Sequence, residues 1–226
     1  IEAYNNLSDD LKSSQRINYI DTLLRGNKFE EALSLLYEIK NSQPTKDVLV
    51  QSPFYYICLS EAYLGLNRID KAEEMARKAL DICEAEKSPK SDAYCQLAEV
   101  LFAKTDLAGA EKLANHAIGV NSKAFRAYVL LGNIAMKQKQ TKLAIEAANK
   151  ALEINPYFID AYLLLGKGQV AQNDYKGAST TYNKAADLYP GLLQTHEALL
   201  DVQTKVGTKQ EIAREQSIVN SLKSKQ

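Results

Sequence analysis

The chain has 226 residues, with 28 Lys and Arg balanced by 28 Asp and Glu, a formal charge of zero. That balance lacks the basic excess that dominates nucleic-acid affinity, so neither DNA nor RNA is an expected ligand. No apolar run reaches the roughly 18 residues that a membrane-crossing helix needs, and no charged-then-apolar leader opens the chain, so it reads as soluble.

The three cysteines, Cys58, Cys83 and Cys95, follow no CxxC spacing and lie inside helical pattern. Neither a disulfide framework nor a metal site is expected; reduced thiols and a cytoplasmic location are. A start at Ile1 in place of Met reads as a segment excised from a longer protein.

In chain order, residues 1–12 read as an N-terminal extension, frayed over 1–7. Ser8 is a candidate cap for a helix with Asp9 and Asp10 in its first turn and Leu11, Ile17, Ile20 and Leu24 on one face. Residues 13–46 then begin a self-similar series that continues at 53–86, 91–124, 125–158 and 159–192. Its small-residue position is held by Ser60, Ala98, Gly132 and Gly166, at steps of 38, 34 and 34 residues. Tyr56, Tyr94, Tyr128 and Tyr162 stand four residues earlier, and Leu59, Leu97, Leu131 and Leu165 one earlier. Ala72, Ala110, Ala144 and Ala178 follow, then Ala79, Ala117, Ala151 and Ala185.

A period in this range marks stacked helix pairs, with small residues where two helices cross closely and aromatics beside them. The first unit is weaker, with Phe29, Ala32 and Pro44 but Ile20 at the small position. The longer early steps place extra residues in turns at 41–51 and 86–91, and Ser52-Pro53 reads as a cap and first-turn proline restarting a helix. After Pro190, helix pattern continues over 193–205 and 208–223, but His196 takes the aromatic position and Ile212 the alanine. Residues 193–226 are therefore a capping pair or a degenerate sixth repeat.

Signs of catalysis are missing from this pattern. His116 and His196 lie in different repeats with no ligand-spaced partner and read as helix-surface or interface residues. The segment GKGQVAQ from Gly166 falls inside a helix, where it cannot act as a dinucleotide loop, and Glu73-Glu74 reads as a solvated pair. No enzyme activity, cofactor or metal is expected.

Tyr162, Leu165-Gly166, Ala178, Tyr182, Ala185 and Pro190 together resemble the tetratricopeptide repeat, and the likeness covers about five units. The resemblance implies an all-α fold: a right-handed α-solenoid of antiparallel helix pairs, about five repeats plus a C-terminal capping pair. It also implies that the first helix of each pair lines a concave groove where ligands bind. By that layout the second repeat presents Phe54, Ile57, Cys58, Glu61 and Leu64, and the third Asp92, Cys95, Gln96, Glu99 and Phe102. The fourth presents Arg126, Val129, Leu130, Asn133, Met136 and Lys137, and the fifth Asp160, Leu163, Leu164, Lys167 and Val170.

Read so, the groove carries an apolar strip of Phe54, Ile57, Val129, Leu130, Met136, Leu163 and Leu164, which marks an interface if open to water. The alternative is that these positions pack against neighbouring first helices, or that a missing segment or a second copy covers them. The column Glu61, Glu99, Asn133, Lys167 drifts from acidic to basic. The carboxylate clamp of chaperone-binding relatives is absent: its positions read Ile57, Glu61, Gln96, Arg126 and Leu130, or Cys95, Glu99, Leu130, Asp160 and Leu164. The expected function is a protein-interaction module that holds a peptide or amphipathic helix of a partner protein in its groove. The alternatives are a scaffold subunit of a multi-subunit or homo-oligomeric complex, or the targeting arm of an enzyme.

Overall fold

Alanine at two positions of the second helix in repeats two to five, with Ser60, Ala98, Gly132 or Gly166 in the matching first helix, lets paired helices approach closely, and the structure is built on that contact. The computed structural model describes residues 9–42 and 48–224; Ser8, residues 1–7, Pro44 and part of the first long turn lie outside the described residues. The described residues form an all-α solenoid of twelve helices with no strand. They are α1 (Asp9–Arg25), α2 (Phe29–Ser42), α3 (Pro53–Gly65), α4 (Ile69–Ala85), α5 (Ser91–Ala103) and α6 (Leu107–Val120). Then come α7 (Phe125–Lys137), α8 (Thr141–Ile154), α9 (Ile159–Ala171), α10 (Tyr175–Leu188), α11 (Leu193–Val206) and α12 (Lys209–Lys223). A 3-10 turn at Val48–Gln51 precedes α3.

The chain divides into two units, residues 1–122 and 123–226. In the first, α1 to α6 pack in sequence, each first helix against its own second helix and each second helix against the next first helix. Ile20, Leu36, Ile39, Tyr55 and Val100 are fully buried there among Ala72, Ala76 and Ala79. Each such aliphatic side chain removed from water contributes about 1.5–3 kcal/mol. In the second unit α7 to α12 follow the same order of contact, around Ala144, Ala148 and Ala151 and then around Ala178, Tyr182, Leu199 and Val202.

The turn inside each of the first five pairs has one construction. Asn27, Asn67, Thr105, Lys139 and Asn173 all adopt left-handed backbone, with φ of 56° to 65°. Around Asn67, its own N–H donates to the Leu64 carbonyl at 3.0 Å and the Arg68 N–H to the Tyr63 carbonyl at 2.8 Å. The same two bonds recur at the other four turns and satisfy carbonyls that a helix end leaves open. Two of the following helices start on an aspartate cap: Asp106 and Asp174 each accept the N–H three residues on, from Gly109 and Gly177, at 2.9 Å.

The longer step between the second and third repeats is only partly a turn. α4 has 17 residues where α6, α8 and α10 have 14, so most of the extra chain lengthens a helix, which then closes on left-handed Lys87. The expectation that the extra residues sit in the turn at 86–91 is corrected accordingly. Continuing the helix satisfies the added backbone groups internally, which an open loop would leave to water.

Gly166 marks how little room the crossing leaves. A Cβ there would lie 2.3 Å from Cε1 of Tyr182, whose ring is buried, and one at Gly132 would lie 2.3 Å from Cδ2 of Leu164. Gly166→Ala should therefore lower stability by about 1–3 kcal/mol despite the better helix propensity of alanine, measured by urea unfolding. An unchanged or raised stability would show that the Tyr182 ring can move aside.

Candidate functional site

Residues 7 and 11 positions apart return to nearly the same side of a helix. On α7 this places Arg126, Asn133 and Lys137 in one stripe; on α9, Asp160, Lys167 and Ala171; on α11, Gln194, Asp201 and Lys205. In the first unit the same registers are Asp21 and Arg25 on α1, Phe54, Glu61 and Gly65 on α3, and Asp92, Glu99 and Ala103 on α5. Among these, Phe54, Asp92, Lys137, Asp160 and Lys167 are exposed, while Glu61, Glu99, Arg126 and Asn133 are half-buried. Leu64, Phe102, Met136 and Val170 are also half-buried.

The apolar strip open to water is not there. Ile57, Val129, Leu130, Leu163 and Leu164 are all buried, at 7% exposure or less. Cys58, Cys95 and Gln96 are buried with them. Within the second unit, Val129 and Leu164 belong to the cluster around Ala144 and Ala148, and Leu163 to that of Leu199 and Val202. The physical reason is the small residue at each crossing: it draws neighbouring helices together until these side chains fill the seam between successive pairs. The packing alternative holds for them. What the first helices show to solvent is mainly polar and charged.

Gln96 illustrates the difference between register and position. Its Nε2 donates to Ser60 Oγ at 3.1 Å, and Ser60 Oγ donates to the Ala72 carbonyl at 2.8 Å, all inside the first unit's core. Ser60 is the hydroxyl-bearing member of the small-residue column, so the second and third repeats are tied by a buried polar chain. Both side chains are fully buried. Outside the core, Lys104 bridges Asp70 at 3.1 Å and Glu73 at 2.8 Å, and Arg68 reaches Glu30 at 2.8 Å. Hydrogen bonds from Lys104 and Arg77 hold the Glu73 carboxyl below its ordinary range.

His196 is buried, where the sequence placed it on a helix surface or an interface. Its Nδ1 faces Glu215 Oε1 of α12 and its Nε2 lies 3.0 Å from the Pro190 carbonyl. His116 stacks on Tyr94 with ring centroids 4.3 Å apart.

The tyrosines act as wedges with anchored hydroxyls. Tyr162 donates to the Pro156 carbonyl at 3.0 Å, Tyr55 to the Leu36 carbonyl at 3.0 Å, and the Tyr63 and Tyr37 hydroxyls share a short hydrogen bond. Burial, reinforced by the Tyr37 hydroxyl, pushes the Tyr63 phenol up to about 12. Burial with nearby Asp201 does the same for Tyr182, to about 12.

Two tetratricopeptide-repeat family models match the chain, over residues 55–86 and 125–158. No curated protein matches it at a significant level. Among solved structures, a thermophilic tetratricopeptide-repeat protein of Thermus thermophilus is similar at 16% identity, covering 85% of this chain and 99% of that one, with a TM-score of 0.70. PilW, a type IV pilus biogenesis factor, is similar at 18% identity over 92% of each chain, with a TM-score of 0.65. MamA from Desulfovibrio magneticus is similar at 21% identity, covering 77% of this chain and 96% of that one, with a TM-score of 0.58. At these identities the likeness is one of fold.

Raised phenol values set a pH limit. Because the folded state disfavours the phenolate, the contribution of Tyr63 and Tyr182 is fully present below the ordinary value of about 10 and is lost as pH climbs through about 12. Ultraviolet titration should show these two phenols ionising together with loss of helicity in that window. Ionisation at pH 10 with helicity intact would contradict their burial.

Proposed function

Since the chain belongs to the tetratricopeptide-repeat family, we propose that it is a non-catalytic interaction module that binds an extended or helical segment of a partner protein along the solvent-facing stripes of its first helices. The observation that carries this reading is the division of labour on those helices. Most of their apolar positions, Ile57, Val129, Leu130, Leu163 and Leu164 among them, are consumed by packing, and the side chains left facing water vary in charge from repeat to repeat while the buried columns repeat themselves. Variable exposed residues on an invariant frame suit recognition better than catalysis. The binding residues are Phe54, Glu61 and Glu99 in the first unit, flanked by Leu64 and Phe102, and Arg126, Asn133, Lys137 and Lys167 in the second, flanked by Met136 and Val170. Ile57 and Cys95 support the first set from below, and Val129, Leu130 and Leu163 the second. The three cysteines are buried and form no disulfide among the described residues, which suits a reducing compartment such as the cytoplasm.

Peptide display against the purified chain tests the assignment. Selected binders should lose about tenfold or more in affinity in Lys167→Trp, which obstructs the exposed side of α9, and nothing in Lys184→Trp on α10. Binders lost only in Lys184→Trp would move the site to the second helices.

A second reading, a stacked subunit of a larger assembly, is favoured by exposed apolar side chains in the second unit: Leu143, Tyr157 at 67% exposure and Leu188. If that surface joins subunits, the mass of the purified chain rises with concentration and Tyr157→Lys abolishes the rise. A concentration-independent monomer would remove this reading.

A further inference from the structure

The neutral chain is neutral only as a sum. Residues 1–122 carry 14 Lys and Arg against 19 Asp and Glu, and residues 123–226 carry 14 against 9, so the first unit has a net charge of −5 and the second +5. The division falls at the boundary between the two units. It also appears on the stripes of the first helices. In the first unit they hold Asp21, Glu61, Asp92 and Glu99 against Arg25; in the second, Arg126, Lys137, Lys167 and Lys205 against Asp160 and Asp201.

We propose that the first-helix surface of the second unit takes an acidic segment of a partner protein, with Lys137, Lys167 and Lys205 as the cations that read it. This rests on the interaction-module reading and gives its partner a chemical class. All three ammonium groups are exposed, and among the described residues none lies in an ion pair. Elsewhere the lysines are often spent within the fold: Lys78 on Glu74, Lys104 on Asp70 and Glu73, Lys150 on Glu153. On α11 itself the Glu197 carboxylate is paired with Lys223 of α12 at 2.7 Å.

The three lysines come from α7, α9 and α11 in related registers, one helix per repeat. α9 packs beside α7, and Leu163 of α9 shares a core cluster with Leu199 and Val202 of α11, so the helices carrying the row are held by common packing. A row of fixed cations attracts an oppositely charged segment before contact and orients it after, an effect that salt screens. Lysine, a point charge on a flexible stem, tolerates Asp and Glu at varied spacing, so the surface selects acidic character more than one motif.

A polypeptide is favoured over a nucleic acid because three phosphate contacts give weak affinity, and the stripes on α7, α9 and α11 hold no aromatic residue on which bases could stack. The arrangement also differs from a carboxylate clamp, since Leu130 and Leu164, which stand at clamp positions, are buried.

The test measures fluorescence anisotropy of a labelled Glu-Ala-Leu peptide with the full chain, alongside counterparts with Gln or Lys for Glu and a single-stranded oligonucleotide. The acidic peptide should bind most tightly and weaken as salt rises. The triple variant Lys137→Glu, Lys167→Glu, Lys205→Glu should lose about tenfold or more, with helicity retained. Lys142→Glu with Lys184→Glu, which changes charge on the second helices of the same unit, should leave affinity unchanged. Equal loss in both variants, or tighter binding of the oligonucleotide, overturns the proposal. So does salt-sensitive dimerisation of the chain with no peptide binding, which would make the acidic unit of a second copy the occupant. If the Gln peptide binds as well as the acidic one and is displaced in Lys167→Trp, the charge reading fails while the interaction surface stands; if no peptide binds, both fail.

Discussion

Everything in this chain depends on how closely the two helices of a pair can approach. Where Gly166 of α9 sits, the space of a single methyl group is already taken by the Tyr182 ring of its partner helix α10. Such contact requires small residues on one helix and alanines on the other, and the fully buried Ala72, Ala110, Ala144 and Ala178 supply them. Close approach then decides what becomes of every larger apolar side chain, because helices drawn together leave no open seam between neighbouring pairs.

That constraint separates structure from recognition along each first helix. Apolar residues such as Val129, Leu130, Leu163 and Leu164 are taken into the seams, and specificity passes to polar side chains on the remaining stripe. The residues that vary between repeats are thus those not committed to packing. Charge is the property that varies most: acidic through the first unit, basic through the second, in a chain whose total conceals both.

The C-terminal pair shows what happens when the repeat is relaxed. In the fifth pair, Thr181 Oγ1 donates to Gln169 Oε1 at 2.7 Å. One period later the equivalents are Glu215 and Gln203, but Glu215 turns to His196, which replaces the column tyrosine, and Gln203 Oε1 is left buried without a hydrogen-bond partner. α12 begins on a reciprocal cap between Thr208 and Glu211 and buries Glu215 and Val219, while most of its other side chains are polar and exposed.

The 34-residue step, the small-residue column and the alanine columns by themselves determined that the chain is an all-α repeat protein, because periodic small residues among helical apolar spacing have few other physical uses. Register also located which first-helix positions form one stripe. It could not say which members of that stripe reach solvent: Leu130 and Lys137 share a side of α7 in the pattern, yet one is buried and the other exposed. Only the packing of successive pairs decided that, since burial depends on neighbours a period away in sequence. The same holds for Gln96 turning inward to Ser60, for His196 meeting Glu215, and for extra residues lengthening α4 when a turn was expected. In each case local pattern leaves two placements of nearly equal merit, and contacts between helices distant in the chain choose between them.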